Sequence, residues 1–427
     1  MIETLKEILE SKKLYGYKIK KIHTYRYELY FIKQELDMNR YVDVNEYEIT
    51  IYKTINDENI GIASTTIDDS YNKEQINDKI DELIENANYA VNKKFDLVKK
   101  VNFKNIVRDV NFQKFSLKDA AFMLADEIFE VDKYDKGYIN SCEIFVNFQE
   151  VEFYNSLGIE YKTCHQFAEI ELITTWSGTQ EVELYKFIEL DNLNYPYINA
   201  TINKMFIDAK NRSNALPTNE MKNTRVMFSE EALKQFFEFF INKCNCQYIY
   251  QRLSDYQVGK NIFNSKQKKE TFSIDAIYPL NGSTSNLSFD EDGVVFKPIT
   301  LIDKGVVKNL WGSQKYCSYL KVPVTGNFKN FKVSTGTSKI EDINFDYLEI
   351  VSLSGLEIDP LTGDFGSEIR LAYYHSKNKT KYYSGGTISG NVYKSLENLL
   401  ISEESYQLNN FVGPKYIIIS NVNVSKR

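Results

Sequence analysis

The chain has 427 residues, of which 43% are hydrophobic and 26% charged, and its formal net charge is −7. This length allows two or three domains, and the composition is that of an ordinary globular protein. The negative charge argues against a constitutive nucleic-acid-binding protein, because such proteins carry a basic surface. The first residues lack the basic and apolar regions of a signal peptide, and no apolar run is long enough to span a membrane. We therefore expect a cytoplasmic protein.

The N-terminal half predicts two units of helices and antiparallel strands. In the first unit a helical stripe at the N-terminus precedes strands within residues 18–54, a turn at 56–59 and a returning strand at 60–67. A strong amphipathic helix follows. Its apolar face consists of Ile76, Ile80, Leu83, Ile84, Ala87 and Val91.

The second unit begins at Ser116, a predicted N-cap with Asp119 three residues later. Strands resume within residues 138–190, where Asn155-Ser156-Leu157-Gly158 predicts a hairpin reversal with glycine at the position that needs a positive φ. A helix is predicted over residues 195–210.

A polar stretch at residues 211–223 is the predicted domain boundary. We expect an N-terminal α+β domain at 1–215, made of units at about 1–105 and 106–215, and a β-rich C-terminal domain at 216–427. The C-terminal half begins with a short strand and a helix capped by Ser229, and strands and glycine turns dominate afterwards. Helices and strands do not alternate as βαβ units, so the fold class is α+β with antiparallel sheets.

The sequence contains no recognisable catalytic motif. The three histidines, His23, His165 and His375, are too far apart for a histidine-bearing zinc helix. A P-loop, a dinucleotide-binding glycine motif and the G-x-S-x-G elbow are all absent. The acidic run Asp290-Glu291-Asp292-Gly293 could hold a divalent cation, but we favour a turn.

Two further patterns have a structural and a functional interpretation. The five cysteines fit a reducing compartment, and buried structural thiols are favoured over a metal site. The basic stretch from Lys93 to Lys104 has interleaved aromatic residues that could follow a phosphate backbone, but a solvated linker is favoured.

Two glycine-punctuated segments flank a short strand near the C-terminus. They predict a shaped groove, because glycine lets another backbone approach closely. The candidate groove residues are Thr362, Gly363, Asp364, Phe365, Ser367, Gly386, Thr387, Ser389, Gly390 and Asn391.

Six short segments, in order along nearly the whole chain, resemble the TldD/PmbA family. They are Asn155-Ser156-x-Gly158, 289–293, 301–305, 325–327, 362–365 and 386–391. The resemblance implies a PmbA/TldD-like fold. Members are described as metalloproteases and, from their history, as modulators of DNA gyrase.

The resemblance also implies which branch of the family applies. The TldD branch has zinc ligands in an H-E-x-x-x-H helix and a cysteine near the C-terminus, and the PmbA/TldE branch lacks them. The corresponding helix here, residues 229–243, contains no histidine, and the tail at 413–416 contains no cysteine. The chain thus resembles PmbA/TldE. We expect no catalytic residue, no metal ligand and no cofactor in this chain, with zinc only in a TldD-like partner.

The resemblance implies a subunit that binds unfolded or leader peptides for proteolysis beside a TldD-like zinc protease. Extended peptides would add as a strand to a sheet edge. The alternative is a non-enzymatic, homodimeric peptide- or protein-binding module. Direct action on DNA is supported only by the family's older name and the basic stretch, and we expect neither nucleic acid nor membrane as a partner.

Overall fold

The long strands predicted for the N-terminal half form one seven-stranded antiparallel sheet. The computed structural model describes residues 1–103, 111–263, 270–377 and 379–426. The strands of this sheet are β1 (Gly16–Ile32), β2 (Glu35–Thr54), β3 (Asn59–Asp68), β4 (Val91–Lys93), β5 (Gly137–Asn155), β6 (Glu160–Ser177) and β7 (Glu181–Leu190). Their order is β4-β3-β2-β1-β5-β6-β7.

The ladder between β1 and β5 joins the two predicted units. Lys18 pairs with Asn155 at one end and Ile32 with Ser141 at the other, so strands far apart in sequence become neighbours in the middle of the sheet. The two units therefore contribute to one continuous sheet and not to separate sheets.

Four helices cover one face of this sheet. They are α1 (Ile2–Ser11), α2 (Lys73–Asn86), α3 (Leu117–Glu130) and α4 (Tyr195–Ser213). The first two pack with β1, β2 and β3 around Ile19 and Ile49, and the other two pack with β1, β5, β6 and β7 around Leu124 and Phe206. The even-numbered residues of β1, including Glu28, lie on the opposite face.

Local signals in the sequence located two features correctly. The Ser116 hydroxyl accepts a hydrogen bond from the Asp119 backbone N–H at 3.0 Å, which confirms the predicted cap of α3. Asn155 Oδ1 accepts hydrogen bonds from the N–H groups of Leu157 and Ile159, each at 3.0 Å, and Gly158 has a φ of 82°. This confirms the predicted reversal between β5 and β6.

Other details of the predictions are wrong. The second helix ends at Asn86, and Val91 is a half-exposed residue of β4 instead of the end of an apolar helix face. Ser229 occupies the N-cap position of the next helix, but its side chain makes no capping hydrogen bond, because it is also the last residue of a strand. At both positions the structure depends on pairing with a distant strand, and the local sequence does not reveal that strand.

In the described residues, the C-terminal half contains two further sheets, one of six strands and one of nine, seven of which lie on its main path. The larger has the order β14-β9-β22-β18-β16-β17-β8, with β15 paired to β16 and β19 to β22; the smaller has the order β12-β11-β10-β13-β21-β20. These strands are β8 (Leu216–Pro217), β9 (Met221–Ser229), β10 (Ile274–Ala276), β11 (Ile299–Asp303), β12 (Val306–Val307), β13 (Phe331–Val333), β14 (Tyr347–Leu353), β15 (Glu357–Ile358), β16 (Asp364–Ser376), β17 (Lys379–Ser384), β18 (Thr387–Asn391), β19 (Leu400–Ile401), β20 (Ser405–Leu408), β21 (Phe411–Pro414) and β22 (Tyr416–Ser425).

Helix α5 (Glu230–Lys243) packs between these two sheets, and shorter helices complete the half: α6 (Cys246–Tyr250), α7 (Gln314–Leu320) and α8 (Val392–Ser395). The Phe237 ring lies 5.1 Å from that of Phe272 and 6.3 Å from that of Phe411, centroid to centroid. The Phe236 ring contacts Phe228 on the other side. These aromatic side chains are buried and dominate the C-terminal core.

The α+β prediction with antiparallel sheets is confirmed. The division at 215/216 stays a prediction, although the N-terminal sheet ends with β7 and the large C-terminal sheet starts with β8. Within the described residues, no helix has the length and apolarity needed to cross a membrane.

Candidate functional site

The two glycine segments predicted to form a groove lie side by side as strands β16 and β18. Asp364 pairs with Asn391, Phe365 with Gly390 and Ser367 with Ile388. The close approach explains one glycine, since a Cβ on Gly390 would lie 2.5 Å from the Phe365 ring. The pattern therefore did identify two segments that the fold brings together.

Protein strands already occupy the outer edges of this pair. Phe365 pairs with Ile358 of β15, and Thr387 and Ser389 pair with β22. At the turn, the Asn391 side chain donates to the Thr362 carbonyl at 2.9 Å, and Gly363 has a φ of 75°. A ligand that pairs through its backbone thus has no free strand edge at Phe365, Thr387 or Ser389, and the role of the candidate residues as a groove stays a prediction.

A cavity, here called the central cavity, lies between the two halves of the chain. Its volume is about 560 Å³. Its walls come from β7, α4, the first turns of α5, strands β14, β16 and β20, and the segment that follows β14. The charged residues that line it are Lys186, Lys204, Asp208, Arg212, Glu230, Glu231 and Arg370.

Glu230 forms the acidic part of one wall. It is the first residue of α5 and has a φ of 47°, a conformation uncommon for a residue with a side chain. Its carboxylate lies 3.6 Å from the ammonium groups of both Lys186 and Lys204. Burial alone lowers the pKa of Lys204, but Glu230 and Asp208 outweigh that effect and raise it. Lys204 is therefore held as a cation against Glu230.

A hydrogen-bonded chain holds the α4 wall. Asp208 accepts from Lys204 at 2.8 Å and from the Tyr373 hydroxyl at 2.7 Å. Asn211 donates to the same hydroxyl at 2.8 Å. Burial and then the Asp208 charge raise the pKa of Tyr373, so the phenol stays protonated and donates. This chain fixes α4 against β16 across the two halves.

The other end of the cavity carries two arginines. Arg212 is in the last turn of α4 and Arg370 is in β16, and both line the cavity. Burial first, and the charge of Arg370 second, lower the pKa of Arg212. The two like charges are therefore close enough to repel each other.

Strand β7 presents an unpaired edge beside the cavity. It is the last strand of its sheet and, among the described residues, pairs only with β6. Leu184, Tyr185 and Lys186 of this strand line the cavity. An edge strand offers free N–H and C=O groups for an added strand.

None of these cavity residues was in the predicted site. They come from elements far apart in sequence and form no local motif, so only the tertiary fold assembles them. The one available signal was the acidic start of α5, Glu230-Glu231, after a predicted strand.

The histidines lie on three different strands. His23 Nε2 is 2.7 Å from Asp43, His375 Nε2 is 2.7 Å from Glu349, and the His165 ring stacks on Phe167. Over residues 1–103, 111–263, 270–377 and 379–426, no group of three histidine, cysteine or acidic side chains is placed to hold a metal ion.

The acidic run at residues 290–293 forms a turn, as favoured. Gly293 donates its N–H to the Asp290 carbonyl at 3.0 Å and has a φ of 84°. The buried Asp290 carboxylate accepts from the N–H groups of Asp292, Val294 and Asn327. Burial, and then the neighbouring carboxylates, raise the pKa of Asp290 to about 7.

The basic stretch and the cysteines are partly as expected. Phe95 is buried, and the Lys93 carbonyl accepts a hydrogen bond from the Tyr319 hydroxyl. This part of the basic stretch therefore packs against the C-terminal half and is not a solvated linker. Lys104 lies outside the described residues.

Four of the five cysteine thiols are buried, as predicted, but Cys164 is exposed. It has the same parity on β6 as the core residues Ala168 and Ile170, so its exposure does not follow from strand alternation.

Comparisons with known proteins connect this architecture to a family. Residues 221–426 match the family described as "PmbA/TldA metallopeptidase C-terminal domain". No curated protein matches the sequence significantly.

Solved structures match over almost the entire chain. TldE from Thermococcus kodakarensis matches with a TM-score of 0.80 and 16% identity, covering 99% of this chain and 100% of that one. Two proteins described as proposed modulators of DNA gyrase also match. The protein from Thermotoga maritima matches with a TM-score of 0.76 and 16% identity, covering 99% of this chain and 100% of that one. The protein from Bacteroides thetaiotaomicron matches with a TM-score of 0.80 and 14% identity, covering 100% of this chain and 99% of that one. The chain thus has the fold of TldE throughout, and its residues 221–426 match the C-terminal domain of the PmbA/TldA metallopeptidases.

Proposed function

We propose that this chain is the non-catalytic subunit of a cytoplasmic TldD/TldE-type metalloprotease system. In this role it binds unfolded or leader peptides in the central cavity, and a TldD-like partner supplies zinc and cleaves them. The observation that carries the proposal is that the first turns of α5 form part of the cavity wall.

The first turns of α5 carry Glu230, Glu231 and Gln235, and the helix contains no histidine. All three line the cavity. Lys186 and Lys204 neutralise the Glu230 carboxylate, so cationic side chains lie where a metal ion would compete for it. This supports a binding role and not a hydrolytic one.

The edge of β7 supports an extended substrate. Backbone pairing with an edge strand needs little sequence specificity, which suits a protein that accepts unfolded peptides. The cavity draws its walls from both sides of the proposed domain division at 215/216. A peptide held there would contact both domains.

The test is coexpression with a TldD-like zinc protease. We expect the two chains to copurify and the pair to cleave an unfolded peptide. Cleavage by this chain alone with one equivalent of zinc would contradict the proposal.

A matched pair of variants on α4 tests the cavity. A200W places a large ring in the cavity wall, whereas I207W changes an exposed position on the same helix outside the cavity. We expect A200W to reduce cleavage by the pair while both variants still copurify with the partner. Equal cleavage by A200W and I207W would exclude the cavity as the peptide site.

One observation favours the homodimeric binding module as a second candidate. The part of β2 that extends beyond β3 exposes apolar side chains along an edge, namely Leu36, Met38, Tyr41 and Val44. Such an edge favours pairing with another chain. Light scattering of the purified protein separates the candidates: a stable dimer that does not dissociate when the zinc-bearing partner is added favours the module.

A further inference from the structure

In the described part of the chain, neither arginine of the central cavity forms an ion pair with a buried carboxylate. Arg212 forms no ion pair with a carboxylate in the described part of the chain, although it lies one turn after Asp208. Asp208 is already engaged by Lys204 and Tyr373. The Arg212 guanidinium is therefore free to bind an anion.

Arg370 has a partner that a ligand can displace. Its guanidinium lies 3.1 Å from Glu368, and the two side chains are 48% and 47% exposed. Ion pairs this exposed contribute little free energy, so a better-desolvated carboxylate in the cavity can replace Glu368. Arginine is also well suited to carboxylates, because two of its N–H groups can donate in parallel.

The electrostatics of the wall agree with this geometry. The pKa of Arg212 is lowered by burial and by Arg370, which means that its charged form is disfavoured in the empty cavity. An anion between the two side chains would relieve that repulsion. Apolar side chains beside them, including Leu184 and Leu353, provide room for a hydrophobic residue.

We propose that Arg212 and Arg370 bind the C-terminal carboxylate of a peptide that enters the central cavity. The peptide backbone then runs along the free edge of β7, and its last side chain contacts the apolar part of the wall. This inference rests on the proposed peptide-binding function and adds a preference for free C-termini over internal segments of a chain.

The test compares peptides that differ only at the C-terminus. The probe is a fluorescein-labelled, unstructured ten-residue peptide without acidic residues that ends in leucine, as the free acid and as the amide. Fluorescence anisotropy with the full chain should show the acid binding about tenfold more tightly, as expected for lost charge-assisted hydrogen bonds. A third peptide, amidated and ending in glutamate, should bind like the amide. If it binds like the acid, the site accepts any carboxylate and the assignment to the C-terminus is overturned.

Variants then assign the effect to the two arginines. R212Q and R370Q should weaken binding of the acid about tenfold and leave binding of the amide unchanged. R225Q is the matched control, because Arg225 stacks on Phe345 at 4.0 Å and does not line the cavity. Arg370 is half exposed, so R370Q tests the proposal even if R212Q fails to fold. If acid and amide bind equally, the peptide-binding function stands and this inference fails; if neither binds, both fail.

Discussion

The Lys18 ammonium group lies 2.6 Å from Asp292 Oδ1, and this ion pair joins the N-terminal sheet to a loop of the C-terminal half. Lys18 also donates to the Glu291 carbonyl at 2.8 Å. Burial alone would lower the pKa of Lys18, but the charge and hydrogen bond of Asp292, together with Tyr52 and Asp290, outweigh it and raise that pKa. The pair is mostly buried, with side chains 19% and 17% exposed.

Breaking this pair should destabilise the protein. We expect K18M to lower the free energy of unfolding by about 1–3 kcal/mol, because Asp292 is left without its partner in a poorly solvated site. Urea unfolding followed by circular dichroism measures the change. K73A removes an exposed ion pair with Glu7 and should change stability by less than about 0.5 kcal/mol. Equal stabilities of K18M and K73A would contradict the structural role of the pair.

Two glutamates on the sheet face opposite the helices should give opposite pH dependences. Burial by itself raises the pKa of Glu28, but hydrogen bonds from Arg40 and Tyr30 outweigh it and lower the pKa. Its stabilising contribution is therefore present above the unfolded-state pKa of about 4.3 and is lost as the pH falls through the lower folded-state value. The stability advantage of wild type over E28Q should shrink on acidification.

Glu143 provides the contrast. Burial, followed by the charges of Glu171 and Glu28, raises its pKa. The folded state then binds more protons than the unfolded state above about pH 4.3, so wild type should lose stability relative to E143Q as the pH rises from there. Denaturant unfolding at a series of pH values measures both differences, and the same slope for both variants would refute the assignment.

Gly386 should tolerate alanine less well than Gly259. Both have a positive φ, 79° and 92°, so each alanine variant costs about 1 kcal/mol of backbone strain. Nothing lies near a Cβ at Gly259, whereas a Cβ at Gly386 would lie 2.4 Å from the backbone oxygen of Ser425. We therefore expect G386A to cost about 1–3 kcal/mol more than G259A in thermal or urea unfolding. Similar costs would show that β18 and β22 can separate freely.

Only one thiol should react in the folded protein. Cys164 is exposed and the other four cysteines are buried. Titration with a thiol-specific disulfide reagent should modify one equivalent in wild type and none in C164S until denaturant is added. Rapid modification of folded C164S would indicate that the C-terminal core opens readily.

Sequence reasoning succeeded where the signal is local. The Ser116 cap and the Asn155–Gly158 reversal depend on side chains within a few residues of the backbone groups they bind. It failed where a distant strand decides the outcome. Val91 continues a helical pattern but pairs with Gly61, and Ser229 resembles a cap but pairs with Tyr416.

The candidate site shows the same division. Glycine spacing identified two strands that lie together, but it could not reveal that β15 and β22 occupy their outer edges. Arg212 and Arg370 have no motif, since one ends a helix and the other lies within a strand. Their convergence is a property of the packing between α4 and β16, which periodicity does not encode.

The pairing of β1 with β5 has a consequence for the order of folding. The strands β1, β2 and β3 are joined by short connections and carry α1 and α2, so they can assemble early during synthesis. The partner of β1 leaves the ribosome much later, because it lies more than a hundred residues further along the chain. Ile32 pairs with Ser141, and Lys18 pairs with Asn155. Until then the nascent chain exposes a long, unpaired β1 edge, and this interval is when it is most open to wrong partners or to chaperones.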